Sequence, residues 1–291
     1  MPAVIETTHL TKSYGKHRGI IDVSITVNEG EIYGFIGPNG AGKSTMIKTL
    51  LNFLFPTSGS AALFGLDSVS GSREIKKQTA YVPSDINYYE ELTVGSLLSY
   101  SDSFYPGTDS SYTQSLITRF ELETDKKIGE LSMGNKKKAA LVAALSCRPK
   151  LMILDEPTNG LDPLMRQKLF EALYEQRQAG CTIFLSSHNL DEVQSLCSRV
   201  AIIRDGRIVD IKEIGALSAE KAKKVTIAGE KIPDGFEHAD VKMVSKENGK
   251  IVFTYHSADM GALLKLLSGI PMHDFLVEDV KLSDIFLSYY K

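Results

Sequence analysis

The stretch GPNGAGKST (residues 37–45) decides the fold. It follows a short apolar run, EIYGFIG (31–37), and opens residues 43–53, where apolar side chains recur at helical spacing. Strand, glycine-rich turn and helix, in that order, are the context that G-x-x-x-x-G-K-[ST] requires. Gly37, Gly40 and Gly42 let the backbone fold tightly, so that successive N–H groups face inward onto phosphate oxygens. The helix from Lys43 adds the positive end of its dipole. The Lys43 ammonium can reach β- and γ-phosphates, and the Ser44 hydroxyl can ligate Mg²⁺.

Two further apolar strands end in chemistry. LMILDEP (151–157) closes on Asp155, placed to hold the hydration shell of Mg²⁺, and Glu156, which could take a proton from attacking water. FLSSH (184–188) closes on His188, which can contact and polarise a γ-phosphate. In a parallel sheet such groups collect at the carboxyl ends of the strands.

Around these stretches, AVIETTHL (3–10) and GIIDVSITV (19–27) alternate as strands, and TAYVPSD (79–85) and CTIFLSSH (181–188) read as further strands. RVAIIRDGRIVDI (199–211) reads as a hairpin turning at Asp205-Gly206. Helical spacing marks 163–179 and 189–197, and the stretch 93–147 is mostly helical. Strands alternating with helices imply an α/β core with a mostly parallel sheet, into which the helical segment, about 86–150, is inserted. The composition shifts after about residue 215. Residues 224–228, 241–245, 250–255 and 273–278 read as strands, with a turn at Asn248-Gly249, and ALLKLLSG (262–269) and LSDIFLSYY (282–290) as helices. The expected organisation is a first domain over 1–215 and a small α+β domain over 216–291.

With 43% hydrophobic and 24% charged residues and a net charge of -3, the chain of 291 residues has a globular profile and no basic surface for nucleic acid. Its apolar runs are too short to span a bilayer, and MPAVIETTHL (1–10) does not read as a secretory signal. Cys147, Cys181 and Cys197 lack metal-ligand spacing and read as reduced, buried thiols of a cytoplasmic protein.

ELSMGNKKKAA (130–140) raises a separate question. A helix beginning near Lys136 would set Lys136, Lys137 and Lys138 in its first turn, where a cation costs roughly 0.3–1 kcal/mol. An anion at that helix end would remove the conflict. The whole set of motifs resembles the ATP-binding cassette of ABC transporters, over residues 3 to about 215. Within it GPNGAGKST is similar to Walker A, LMILDE (151–156) to Walker B, NGLD (159–162) to the D-loop, and LSMGN (131–135) to the signature Leu-Ser-Gly-Gly-Gln. VEDVKLSDIFLSYY (277–290) resembles the end of cassettes from bacterial ABC-2-type exporters. The resemblance implies a P-loop ATPase core with an N-terminal antiparallel β-subdomain and an inserted helical subdomain. It implies ATP and Mg²⁺ as ligands, with Gly37, Asn39, Gly40, Ala41, Gly42, Lys43, Ser44 and Thr45 around the triphosphate and Tyr14, in TKSYGK (11–16), stacked on adenine. Ser132 and Gly134 would face the γ-phosphate held by a second cassette, with Lys136 nearest that nucleotide and Lys137 and Lys138 on a solvated face. The second cassette is expected to be another copy of this chain. Glu156, His188 and Lys43 would be the catalytic residues.

Two departures stand out. Met133 and Asn135 replace the first glycine and the glutamine of the signature, which predicts a working site of reduced rate. Ser84 stands where the family has a metal-ligating glutamine, and its hydroxyl, two carbons short, would reach Mg²⁺ through a bridging water. The resemblance further implies a separate transmembrane permease, contacted through residues 84–105, and a place on the cytoplasmic face of the membrane. The cargo would be a drug, an antimicrobial or toxin peptide, or a lipid. A soluble ABC-type ATPase acting on DNA or ribosomes, and a non-catalytic nucleotide switch, are the rivals. The absence of a second cassette or long coiled coil speaks against the first, and Glu156 with His188 against the second.

Overall fold

The computed structural model describes residues 2–15, 17–105, 109–215, 223–229, 238–247, 249–257 and 259–280. They fall into two compact units, Met1–Ile211 and Lys212–Lys291.

The first unit opens with β1 (Ala3–Tyr14), β2 (His17–Val23) and β3 (Thr26–Asn28), followed by β4 (Ile32–Ile36), α1 (Lys43–Leu50), β5 (Ser58–Leu63), β6 (Leu66–Asp67), α2 (Ser72–Lys76) and β7 (Thr79–Val82). Three helices then separate β7 from the next strand: α3 (Val94–Asp102), α4 (Ser110–Arg119) and α5 (Met133–Ser146). The core resumes with β8 (Leu151–Asp155), α6 (Pro163–Gln178), β9 (Thr182–Ser187), α7 (Leu190–Leu196), β10 (Arg199–Arg204) and β11 (Arg207–Glu213).

Two sheets result. A five-stranded sheet has the order β2-β1-β5-β6, with β3 also on β1, and its pairs to β1 are antiparallel. A six-stranded sheet has the order β11-β10-β4-β9-β8-β7, in which β10, β4, β9, β8 and β7 run parallel. Every residue of β4, β8 and β9 is buried. That is why these segments read as unbroken apolar runs: a parallel strand is covered on both faces. Phe184 at the centre packs on Tyr33 and Phe35, with ring centroids 6.0 and 5.5 Å away.

Local chemistry sets the boundaries. Asp205 and Gly206 both have positive φ (51° and 81°), as the two-residue turn between β10 and β11 requires. Thr93, Asp109, Ser132 and Asp162 cap α3, α4, α5 and α6 with their side-chain oxygens. The helix expected over 43–53 stops at Leu50, because Asn52 takes the left-handed conformation (φ 54°) and the Lys48 carbonyl accepts from Phe53 and Leu54 instead. The pair β5 and β6 escapes a sequence reading, since SGSAAL carries little β propensity. Its stability comes from the antiparallel ladder to β1.

The second unit holds β12 (Lys223–Ala228), β13 (Val241–Glu247), β14 (Lys250–Tyr255), α8 (Met260–Leu267) and β15 (Asp274–Asp279). Its sheet is antiparallel, in the order β13-β14-β12-β15. Leu263 and Leu267 of α8 join Val225, Ile227, Ile251, Phe253 and Tyr255 in a core of its own. Asn248 and the helix expected over 282–290 lie outside the described residues. Among the described residues no helix is long and apolar enough to cross a membrane.

Phe184→Ala should destabilise the first unit by about 3–5 kcal/mol, through lost burial and the cavity left between Tyr33 and Phe35. The denaturation midpoint of that unit measures it, and an unchanged midpoint would show that the sheet centre repacks.

Candidate functional site

The loop from Gly37 to α1 is shaped by close backbone approaches. A Cβ on Gly37 would stand 2.4 Å from the Ile203 carbonyl, and one on Gly42 2.8 Å from that of Gly19. Gly40 and Gly42 have φ of 79° and 109°. Gly42 caps α1 without a side-chain hydrogen bond, so the first N–H groups of the helix are left for a ligand. Asn39 is exposed, Ala41 is buried, and Ser44 and Thr45 are half-buried. Tyr14 ends β1 and is 40% exposed, with the Lys12 ammonium 5.5 Å from its ring centre.

Lys43 is buried. Its ammonium donates to the Gly37 carbonyl at 2.7 Å and the Pro38 carbonyl at 3.3 Å, and lies 3.1 Å from Glu156 Oε1. Glu156 is also buried and has φ 49°, a strained value for a non-glycine residue and one that clusters at functional sites. Its N–H is held by the Ser186 carbonyl at 3.2 Å and the Ser186 hydroxyl at 3.1 Å, and its Oε2 lies 2.8 Å from His188 Nδ1. Oε1 has no aligned hydrogen-bond donor, although the Lys43 ammonium is near. Asp155, 1% exposed, accepts from Ser186 Oγ at 2.6 Å. Asp155 and Ser186 are register partners of β8 and β9, so one hydroxyl fixes both acidic residues.

The structure thus brings Lys43, Asp155, Glu156 and His188 together past the carboxyl ends of β4, β8 and β9. Leu131, Met133, Lys136 and Lys137 line a cavity of about 650 Å³ together with residues 84–87, Asn159 and Gly160. A Cβ on Gly134 would stand 2.7 Å from the Gly160 carbonyl, so the signature and D-loop backbones touch here. Ser132 is exposed, and its hydroxyl accepts from the Asn135 N–H at 3.3 Å. That cap starts α5 at Met133, three residues earlier than expected. The lysines therefore sit in the second turn, where the end of the helix dipole is weaker. Met133, 78% exposed, turns its side chain outward.

Lys137 is not on a solvated face. It is 2% exposed, and its ammonium donates to the carbonyls of Pro83 and Ser84, both at 2.9 Å. Burial pulls its pKa below the ordinary value, while Asp155, Asp85 and Glu156 act to keep it charged. Lys136 and Lys138 are half-buried. Sequence reasoning also passed over Ser186 and Glu192. Ser186 was visible as the residue two before His188 on the same strand. Glu192, buried at the start of α7, accepts from Thr158 at 2.7 Å, Ser187 at 3.3 Å and Asn189 at 3.2 Å, joining the strand end at His188 to the segment before the D-loop.

The residues fit a triphosphate and a metal that arrives with it. Among the described residues no group of three His, Cys, Asp or Glu could cage a metal alone. Mg²⁺ held by one or two protein oxygens and completed by phosphates and waters suits that donor set. Strand, P-loop and paired carboxylate define a P-loop nucleoside triphosphatase. Residues 20–159 match the family model described as "ABC transporter". The chain is 32% identical to the bacitracin transport ATP-binding protein BcrA of Bacillus licheniformis, covering 99% of this chain and 97% of that one. It is 32% identical to the Nod factor export ATP-binding protein I of Burkholderia orbicola, covering 93% and 82%. A solved ATP-binding subunit of an ABC transporter superposes with a TM-score of 0.68 at 31% identity, covering 74% of this chain and 92% of that one. The chain belongs to the ABC transporter family and is an ATPase of its cassette fold.

Ser186→Ala deletes the hydroxyl between Asp155 and Glu156. A hydrogen bond to a charged group is worth about 1.5–3 kcal/mol, and the first unit should lose that much in a denaturant titration. A loss under about 0.5 kcal/mol would show that the bond carries no net stability.

Proposed function

We propose that this chain is the ATP-hydrolysing motor of a bacterial exporter, working as a pair of cassettes on the cytoplasmic face of the membrane beneath a separate permease. The observation that carries the reading is Glu156, buried, strained and held between Lys43 and His188. The N–H groups at the start of α1 and the Lys43 ammonium bind the β- and γ-phosphates, and Tyr14 stacks on the adenine. Ser44, and Asp155 through a water, would hold Mg²⁺, which would supply neutralisation of charge on the phosphate oxygens. The Ser84 hydroxyl would reach such a metal only through a bridging water. As phosphate draws Lys43 away, Glu156 Oε1 is freed to take a proton from attacking water, while His188 Nδ1 keeps the other oxygen oriented. His188, whose side chain is half exposed, then presents Nε2 to the γ-phosphate.

Gly134 lies against Gly160 of the D-loop, and Ser132 is exposed at the start of the same helix. A second copy, turned about a two-fold axis, brings them to the nucleotide of the first. Motion passes to the permease through residues 84–105. That segment lines a groove of about 450 Å³ whose aromatic wall includes Tyr89, Tyr100 and Phe104, rimmed by Arg73, Lys76 and Lys77. These aromatics are largely exposed, which suits an amphipathic permease helix bearing acidic flanks. The relatives above are named for bacitracin transport and Nod factor export, which supports export as the activity, with a drug, an antimicrobial or toxin peptide, or a lipid as cargo.

Glu156→Gln should keep ATP binding and lose turnover by about 10²–10⁴-fold, the range for loss of a general base. Nucleotide titration and phosphate release measure the two separately. Turnover within about twofold of the parent would remove Glu156 from the role.

A further inference from the structure

Lys137 is the fifth residue of α5, and its two hydrogen-bond acceptors belong to another layer. Pro83 and Ser84 follow directly on β7, at the edge of the parallel sheet. A lysine buried to 2% exposure loses most of its hydration, which has to be offset by acceptors and by negative charge. Both are present: two carbonyls at 2.9 Å, and Asp155, Asp85 and Glu156 in electrostatic reach. The carbonyls are backbone groups, so the contact fixes the path of the chain rather than one rotamer. A glutamine at position 84 could tie this loop to the metal end of the site. Serine is too short to do so directly, which leaves the tie from the helix side.

We propose that Lys137 is a positioning residue: it fastens the Pro83–Ser84 backbone to the signature helix, so that the loop leading into the aromatic groove follows α5 rather than the sheet. The consequence for coupling rests on the two-cassette reading above; the tie itself does not. When α5 is drawn toward a nucleotide across the pair, Lys137 carries residues 83–84 with it. The loop then reports the state of the partner's nucleotide to the groove. In the sequence this lysine looks like one of three solvated charges, and its burial alone sets it apart.

Lys137→Met keeps the stem and nearly the volume while deleting the ammonium. Amide hydrogen exchange on the full chain without nucleotide should show protection at residues 84–90 reduced about tenfold, with β4, β8 and β9 within about twofold of the parent. Lys137→Arg, which keeps a charged donor, should restore protection at 84–90. With ATP, the parent should slow exchange at 84–90 and the Met variant should not, while its KM for ATP stays within about twofold and kcat falls. Lys137→Gln, an uncharged donor, serves if the Met variant does not fold, with the same direction and smaller amplitude. Unchanged exchange at 84–90, or protection lost evenly across β4, β8 and β9, overturns the proposal. Loosening at 84–90 in a parent that shows no ATP-dependent slowing would support the tie and count against the two-cassette reading.

Discussion

The Ser186 hydroxyl, donating to Asp155 Oδ1 at 2.6 Å and accepting from the Glu156 N–H at 3.1 Å, is the contact on which the site depends. It exists because β8 and β9 lie parallel in a register that sets Asp155 opposite Ser186. One residue further the chain leaves the sheet, and Glu156 turns through a left-handed conformation toward Lys43. Two residues beyond Ser186, just past the end of β9, His188 closes on the other carboxylate oxygen. A shift of one residue in that register would send these side chains to the opposite face of the sheet. The buried hydrophobic length of β8 and β9 thus fixes the placement of Asp155, Glu156 and His188 as well as a core.

A second constraint governs the helical layer. Ser132 caps α5, which points Met133 outward and folds Lys137 inward. Gly134 lies so close to the Gly160 carbonyl that a methyl group would not fit without movement. The signature and D-loop backbones therefore behave as one surface, and Lys137 extends that surface to the loop after β7. The substitutions at positions 133, 135 and 84 fall on or beside this surface, whereas the P-loop and the carboxylate pair keep the family's pattern.

Much of this was legible in the sequence, because the parallel strands are buried on both faces and carry their reactive residues at their ends. GPNGAGKST, LMILDEP and FLSSH located Lys43, Asp155, Glu156 and His188 without any knowledge of packing. What escaped depends on contacts between segments distant in the chain. Ser186 gains its role from the β8–β9 register, and Glu192 from Thr158, which lies 34 residues away. Lys137 was misread because a run of three lysines has no apolar period to mark its inward member. The start of α5 was misplaced because Ser132 was read for its hydroxyl toward a phosphate and not as a helix cap. The Ser58–Leu63 strand was missed because its pairing with β1, not its residue types, makes it a strand.

In the proposed pair, each site takes its P-loop and carboxylates from one copy of the chain and its signature from the other. This arrangement is tested by mixing two inactive chains, one with Lys43→Ala and one with Ser132→Arg, and measuring phosphate release from ATP with Mg²⁺. In a mixed pair, the intact Lys43 of one chain meets the intact Ser132 of the other. Activity should reappear in the mixture, at roughly a quarter of the parental rate if copies pair at random across a two-fold axis and the sites act independently. A mixture no more active than the sum of its two components would contradict the arrangement.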